Sequence, residues 1–214
     1  VTAEQPDLGT AMMLFIIGSS ILLFLKIKTK VLLAVALSLS LLGAGAWLFL
    51  LRDSPNARVY TFFDPGRDPR GKGYNSIQSK IAVGSGQVLG KGFRKGTQSQ
   101  LEFLPERHTD FIFAVLSEEH GFVGSITTIG LFGTLFMLGI RIASQARDKG
   151  GAIVVVGVLA IIFWHHFINV GMVIGLLPIV GVPLPLLSYG GSNMLTTMAA
   201  LGLVSSVSYR KNMF

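Results

Sequence analysis

Long apolar runs restrict the fold of this chain more than any other feature. Residues 31–51 form 21 consecutive positions without a charged side chain, which is enough for the roughly 20 residues that a transmembrane helix needs. Four more apolar runs are predicted to span, at about residues 10–27, 119–141, 151–177 and 192–209. We therefore predict an all-α polytopic membrane protein, a single transmembrane domain over residues 1–214 with about five transmembrane helices.

Composition supports this class and narrows the chemistry. Half of the 214 residues are hydrophobic and 14% are charged, against about 25% charged residues in soluble domains. The absence of cysteine excludes disulfides and thiolate metal sites. The net charge of +7 can suit nucleic acid, but basic residues beside membrane spans more simply fix orientation and meet anionic lipid. We therefore expect membrane lipids as partners and no nucleic acid.

The basic residues also predict the topology. Clusters at residues 26–30, 141–149 and 210–211 follow the first, third and fifth predicted spans, and the positive-inside rule places that side in the cytoplasm. The loops at residues 52–110 and 178–192 then lie on the extracytoplasmic face. The chain starts without an initiator Met or a signal-peptide pattern, so we expect it to be the C-terminal part of a longer protein.

Acidic residues at the end of the long loop are the first candidates for catalysis. Asp110 directly precedes an apolar segment, which puts a carboxylate where water meets the apolar phase and where it can act as a general base. A carboxylate favoured at a helix start is the commoner role for such a residue. Glu106 lies four residues earlier and can share a helix face with Asp110. Carboxylate pairs suit glycosyl chemistry, although structural pairs are more common.

Other polar residues have weaker claims. The cations of the outer loop can attract a pyrophosphate or contact the membrane surface, and Arg107 can hold phosphate. Ser188 lies in a Pro- and Gly-rich loop that can approach a substrate. Glu118, Glu119 and His120 are expected to snorkel at the interface, and His165 and His166 to hydrogen-bond between helices rather than to share a metal. The candidate substrate-binding residues are Lys80, Arg94, Lys95, Arg107 and Ser188.

Two blocks of the sequence resemble a known family. Residues 74–124 include KGTQSQLEFLPERHTDFIFA, and residues 169–204 include GLLPIVGVPLPLLSYGGSN. Both resemble the SEDS family, and the first resembles its RodA branch more than its FtsW or SpoVE branches. The resemblance implies a bacterial inner-membrane peptidoglycan glycosyltransferase of cell elongation, of about ten helices, of which this chain is the C-terminal half. It also implies that Asp110 matches the essential acidic residue of the family's large extracytoplasmic loop.

The resemblance further implies substrates and partners. The family joins lipid II units into a glycan strand, with undecaprenyl pyrophosphate as the leaving group, and works with a class B penicillin-binding protein. That chemistry needs a base and positive charge at the pyrophosphate. No cofactor is expected with certainty; a divalent cation (Mg²⁺ or Mn²⁺) is an open alternative for part of the charge. Two other functions stay open at this point: a lipid II flippase, and a non-catalytic membrane scaffold for the penicillin-binding protein.

Overall fold

A computed structural model describes residues 8–24, 72–97 and 108–210 of the protein. These residues contain no β-strand and form five α-helices: α1 Leu8–Phe24, α2 Lys72–Ser85, α3 Ile112–Ser144, α4 Lys149–Val173 and α5 Gly191–Arg210. The predicted all-α class is confirmed. The predicted span at residues 31–51 and much of the predicted outer loop at 52–110 lie outside the described residues.

Helices α3 and α4 are, among the described helices, the two that are long and apolar enough to cross a membrane. They contain 33 and 25 residues, which correspond to about 50 and 37 Å at the usual helical rise. They pack against each other more extensively than any other described pair. A Cβ added at Gly139 of α3 would collide with the Leu159 side chain of α4, so this small residue allows the two helices to approach closely.

Helix α3 starts before the predicted span at residues 119–141 and is interrupted within it. Its helical residues begin at Ile112, but Gly121 has φ 66° and ψ −158°, a conformation that is almost restricted to glycine. The break separates a short outer section from a long apolar section that ends at Ser144. The outer section contains Phe113 and Ala114, which are buried in the main core.

Helix α4 ends four residues earlier than the predicted span at 151–177. Gly175 has φ 80°, and the N–H groups of Leu176 and Leu177 donate to the carbonyl of Gly171 at 2.8 and 3.1 Å. These bonds satisfy a carbonyl of the last helical turn and reverse the chain. At the other end, the Asp148 side chain accepts a hydrogen bond from the Gly151 N–H at 2.9 Å, as an N-cap residue does.

Helices α1 and α5 pack on α4. The Trp164 indole N–H of α4 donates to the Ser20 hydroxyl of α1 at 2.8 Å, which satisfies a polar group inside an apolar contact. Near the start of α4, a Cβ at Gly151 would lie 3.1 Å from a methyl group of Val207 in α5. Helix α4 is therefore the central helix of the described bundle, since α1, α2, α3 and α5 all contact it.

Helix α2 packs on the end of α4. The Ser79 hydroxyl donates to the Val173 carbonyl at 3.2 Å, which fixes α2 on the last turn of α4. The residues after α2 have no regular secondary structure, as expected from their glycines. They do not form a separate loop, however, because they pack against the break in α3.

This contact is made by the backbones of both segments. The N–H groups of Lys91 and Gly92 donate to the carbonyls of Glu118 and Glu119 at 3.0 and 2.9 Å. In return, the N–H groups of Phe122 and Val123 donate to the carbonyls of Gln87 and Val88 at 2.8 and 3.1 Å. In an unbroken helix, residues 122 and 123 would donate to residues 118 and 119. The segment at 86–92 therefore replaces both of the hydrogen bonds that the break removes.

Gly121→Ala tests this arrangement. The alanine Cβ would collide with the backbone of Val88 and Gly90, and φ of 66° is unfavourable for a residue with a side chain. We expect a loss of about 1–3 kcal/mol in the free energy of unfolding, measured by SDS titration of the purified protein in mixed micelles.

Gly130→Ala is the matched control in the same helix. A Cβ at Gly130 would meet no atom within 4 Å, and alanine favours the helix by roughly 1 kcal/mol relative to glycine. We expect this variant to be as stable as the original protein or slightly more stable. Equal stability of the two variants would show that the close approach at Gly121 is unimportant.

Candidate active site

Asp110 lies in a turn whose backbone is held by three hydrogen bonds. The carbonyl of His108 accepts from the Tyr189 N–H at 2.8 Å, and that of Thr109 accepts from the Ser188 hydroxyl at 2.6 Å. The carbonyl of Asp110 accepts from the Asn169 side-chain amide at 2.8 Å. Three consecutive carbonyls of the turn are therefore bound by α4 and by the segment that joins α4 to α5.

The Asp110 side chain lies between buried and exposed surroundings. It is partly exposed, whereas the next residue, Phe111, is only 2% exposed. Its Oδ2 lies 3.2 Å from the position that a Cβ at Gly181 would occupy. Gly181 has φ 80°, so a glycine there both allows the turn of the chain and leaves room for the carboxylate. Asp110 therefore lies at the edge of the protein core, between buried Phe111 and the surface.

The structure also bears on the helix-start role considered for Asp110. The N-cap of α3 is Phe111, so Asp110 lies one residue before the position at which a side chain normally caps a helix. The N-cap position is therefore occupied by Phe111, whose side chain cannot accept a hydrogen bond from the helix. Residues 108–111 form a turn.

Ser188 supports the turn that carries Asp110. Its side chain is only 3% exposed, and its hydroxyl accepts from the Leu184 N–H at 2.7 Å while it donates to Thr109. The hydroxyl hydrogen is thus used within the protein. Contact of Ser188 with substrate stays a prediction, and the structure adds a structural role beside Asp110.

The other candidate residues are distributed over two places. Lys80 is exposed and its side chain lies over Gly175, next to the end of α4. Arg94 and Lys95 are exposed in the segment that packs on the break of α3, where the Arg94 guanidinium lies 5.5 Å from the centre of the Phe93 ring. Glu106 and Arg107 lie outside the described residues. Of the predicted residues, only Ser188 is brought next to the Asp110 turn by a described hydrogen bond.

A buried ion pair supports the segment with Arg94 and Lys95. Glu118 is fully buried, and its Oε1 accepts from the Lys91 ammonium at 2.8 Å. The same oxygen accepts from the hydroxyls of Thr97 at 3.1 Å and Ser85 at 3.5 Å. The expectation that Glu118 snorkels at the interface is therefore wrong. Its partner lies 27 residues away, and no periodicity in the sequence relates the two positions.

The two adjacent histidines do not form a hydrogen-bonded link between helices through Nδ1. The Nδ1 of His165 lies 2.8 Å from the carbonyl of Ile161 in its own helix. The ring of His166 stacks on Phe132 of α3 with 4.1 Å between ring centres. Within the described ranges, no three His, Cys, Asp or Glu side chains come together as metal ligands. An inter-helix contact is thus present, but it is aromatic stacking.

Asn169 is a residue of the site to which the sequence analysis assigned no role. It is completely buried, and its amide donates to the carbonyls of Asp110 and Val182 at 2.8 and 2.6 Å. The available signal was an amide inside the apolar run at 151–177, since a buried polar group needs partners. The sequence did not reveal that one of those partners is the backbone of Asp110.

Two apolar cavities lie along α3 beside these elements. One of about 220 Å³ lies between α3 and the segment before α5, and one of about 420 Å³ lies beside the break of α3. Thr128 lines both of them. Their remaining lining residues are mostly apolar, which is a suitable environment for a hydrocarbon chain.

Comparison with known proteins identifies the family. The family model for FtsW, RodA and SpoVE, described as "Cell cycle protein", matches residues 1–213. The chain belongs to this family. The resemblance to SEDS proteins seen in the two sequence blocks is thereby confirmed, and with it the class of integral membrane protein.

Individual relatives agree with this assignment. The chain is 46% identical over 213 residues to the peptidoglycan glycosyltransferase MrdB of Escherichia coli K12, with 100% of this chain and 58% of the relative covered. It is also 46% identical over 154 residues to the peptidoglycan glycosyltransferase RodA of Treponema pallidum, with 72% and 36% covered. The chain thus spans little more than half the length of the curated relatives that it matches.

Solved structures resemble the fold over nearly the whole chain. A structure described as "Structural coordination of polymerization and crosslinking by a peptidoglycan synthase complex" superposes with a TM-score of 0.76 at 30% identity, covering 98% of this chain and 58% of the other. Rod shape determining protein RodA of Thermus thermophilus superposes with a TM-score of 0.60 at 26% identity, covering 98% and 52%. The described helices therefore have the arrangement of this membrane family.

The buried ion pair generates a stability prediction. Lys91→Met leaves the carboxylate of Glu118 buried without its cation, which costs about 3 kcal/mol in the free energy of unfolding. Lys91→Met combined with Glu118→Gln should recover a large part of this loss, because the uncompensated charge is then absent. Both values are measured by SDS titration.

Lys95→Met provides the control for loss of a lysine in the same segment. Lys95 is exposed, and exposed charges contribute little to stability, so we expect a change within about 0.5 kcal/mol. If Lys91→Met is as stable as Lys95→Met, the ion pair with Glu118 does not hold the segment in place.

Proposed function

We propose that this chain forms the extracytoplasmic catalytic region of a peptidoglycan glycosyltransferase that polymerises lipid II during cell elongation. The names of the MrdB and RodA relatives support the activity. The observation that carries the proposal is the position of Asp110: a partly exposed carboxylate on a turn that three hydrogen bonds fix beside the buried core. Fixed position at a water–apolar boundary is what a general base for a lipid-linked sugar requires.

In the proposed reaction, Asp110 accepts the proton of a sugar 4-hydroxyl. The hydroxyl oxygen attacks the anomeric carbon of the growing chain, and the bond from that carbon to undecaprenyl pyrophosphate breaks with its electron pair on the leaving group. A single displacement inverts the anomeric configuration. The product is a glycan strand that is one disaccharide longer, and the base is restored when the proton passes to water.

Positive charge stabilises the leaving pyrophosphate. Lys80, Arg94, Lys95 and Arg107 are the residues that we propose for this role. The first three are exposed, so they can move towards a substrate, whereas Arg107 lies outside the described residues. A divalent cation, Mg²⁺ or Mn²⁺, is an alternative source of charge. Because the described part of the chain gathers no group of three usual ligands, we assign no step to a metal.

We further propose that the protein lies in the bacterial inner membrane, with Asp110 on the extracytoplasmic face. The basic residues Arg141, Arg147 and Lys149 lie around the end of α3 and the start of α4, which supports a cytoplasmic location for that side. Asp110 precedes the opposite end of α3. The two apolar cavities beside α3 suit the lipid tails of the substrate.

A class B penicillin-binding protein is the proposed partner. The support is the solved peptidoglycan synthase complex, whose description joins polymerisation to crosslinking. A purely structural role as scaffold for such a partner would not require a fixed carboxylate, and transport of lipid II across the membrane would not either. Polymer formation from lipid II therefore distinguishes the proposed enzyme from both alternatives.

The topology can be tested with single cysteines, since the chain contains none. Gln87 lies in the packed segment at 86–92 and Ser144 ends α3, and both are exposed. In intact spheroplasts of cells with an otherwise cysteine-free full-length protein, we expect a membrane-impermeant maleimide to label Gln87→Cys and not Ser144→Cys. The reverse pattern would place Asp110 on the cytoplasmic side and exclude the proposed chemistry.

Asp110→Asn tests the proposed base. The substitution keeps the size of the side chain but removes its proton affinity, and loss of a general base costs about 10²- to 10⁴-fold in rate. We expect the full-length protein with this change to insert in the membrane and to bind its penicillin-binding partner, but to polymerise lipid II at that reduced rate. Glycan products are measured by gel electrophoresis after reaction of the purified complex with labelled lipid II.

Asp148→Asn is the matched control at the other end of the bundle. Asp148 caps α4 through its side chain, and asparagine caps helices equally well, so we expect an unchanged rate. If Asp110→Asn polymerises as fast as this control, Asp110 is not the base. If Asp110→Asn loses its partner as well as its activity, the residue is structural and Glu106 becomes the next candidate.

A further inference from the structure

Asn169 joins three segments that are distant in the sequence. It belongs to α4, and its amide binds the carbonyl of Asp110, 59 positions away, and that of Val182, 13 positions away. A side-chain amide has two N–H groups, and the two bonds account for both of them. Because both partners are carbonyl oxygens, the orientation of the amide is also determined: its nitrogen faces them.

The bond to Asp110 differs from the other two bonds of the turn. Tyr189 and Ser188 hold the carbonyls of His108 and Thr109 from the segment before α5. Asn169, in contrast, belongs to helix α4, and its side chain is completely buried. It therefore connects the residue with the proposed catalytic carboxylate to the central helix of the described bundle.

The second bond of Asn169 fixes the surroundings of that carboxylate. Val182 follows Gly181, and Gly181 is the residue against which the Asp110 Oδ2 lies. The amide thus holds both the backbone that bears the carboxylate and the backbone that faces it. Loss of the amide would remove a donor from both carbonyls, and the turn and the Gly181 segment could then separate.

We propose that Asn169 is a positioning residue for Asp110: its amide keeps the carboxylate at the distance and angle from which it takes the proton of the sugar hydroxyl. This inference rests on the proposed function. A displacement of about 1 Å can reduce the rate of an enzyme by about a hundredfold, and a residue that acts in this way affects the chemical step more than substrate binding.

The test uses Asn169→Ala in the full-length protein, purified with its partner and assayed with labelled lipid II. We expect kcat to fall by about 10- to 100-fold while KM for lipid II changes by less than about threefold. In the Asp110→Asn background, the same substitution should not reduce the residual rate further, because Asn169 then has no base to position.

Ser20→Ala is the matched control. It also removes one side-chain hydrogen bond to α4, the 2.8 Å bond from Trp164, but at a contact that does not involve the Asp110 turn. We expect it to lower thermal stability to a similar extent as Asn169→Ala and to keep the original kcat. This comparison separates a general loss of packing from a loss of position at Asp110.

Asn169→Gln is the variant to assay if Asn169→Ala does not insert in the membrane. Glutamine keeps both N–H donors but places them one methylene further from the helix, so we expect an inserted protein with a reduced kcat. Normal kcat in Asn169→Ala or Asn169→Gln would overturn the proposal, as would a further loss of rate in the Asp110→Asn background. A normal rate in Asp110→Asn would overturn Asp110 as the base and this proposal with it, whereas a normal rate in the Asn169 variants alone would leave Asp110 as the base. Absence of polymer from the original complex would overturn the proposed function itself.

Discussion

The exchange of backbone hydrogen bonds between the break of α3 and the segment at 86–92 is the contact on which the surrounding structure depends. A helix that is broken near an apolar phase leaves N–H and C=O groups that need partners. Here the N–H groups of Phe122 and Val123 and the carbonyls of Glu118 and Glu119 all find them in the segment at 86–92. That segment is therefore required by α3, and it brings Lys91 to Glu118. A charge that would be costly alone is compensated, and the segment with Arg94 and Lys95 is fixed on the helix that follows Asp110.

The need of backbone groups for hydrogen-bond partners also explains how the turn at 108–110 is held. The turn at 108–110 has three carbonyls in succession beside buried Phe111, and each accepts a hydrogen bond from the second sequence block. Neither block can satisfy its backbone alone. The two blocks that identify the family in the sequence are thus the two sides of one hydrogen-bonded unit, which accounts for their joint occurrence without any reference to catalysis.

The sequence predicted the parts of this structure that depend on local composition. Apolar runs located the helices, and the position of Asp110 before Phe111 located the boundary between water and core. It could not predict the pair of Lys91 and Glu118 or the bonds of Asn169, because these depend on contacts between residues 13 to 59 positions apart. Local propensity also misplaced the end of α4, where the left-handed Gly175 stops the helix before the apolar residues end. Features that depend on local composition were therefore predicted from the sequence, whereas features that depend on tertiary contacts were not.

The hydrogen bonds that hold the turn at Asp110 involve its backbone, whereas the proposed reaction involves its side chain. All three bonds that hold the turn use backbone carbonyls, which any amino acid at positions 108–110 would supply. They therefore do not require a carboxylate at position 110, and the N-cap of α3 is Phe111, so helix capping does not require one there either. A carboxylate that lies partly exposed against a left-handed glycine, on a turn this strongly held, has the fixed position that the proposed general base requires. The fold supplies the fixed position, and the proposed reaction requires the carboxylate.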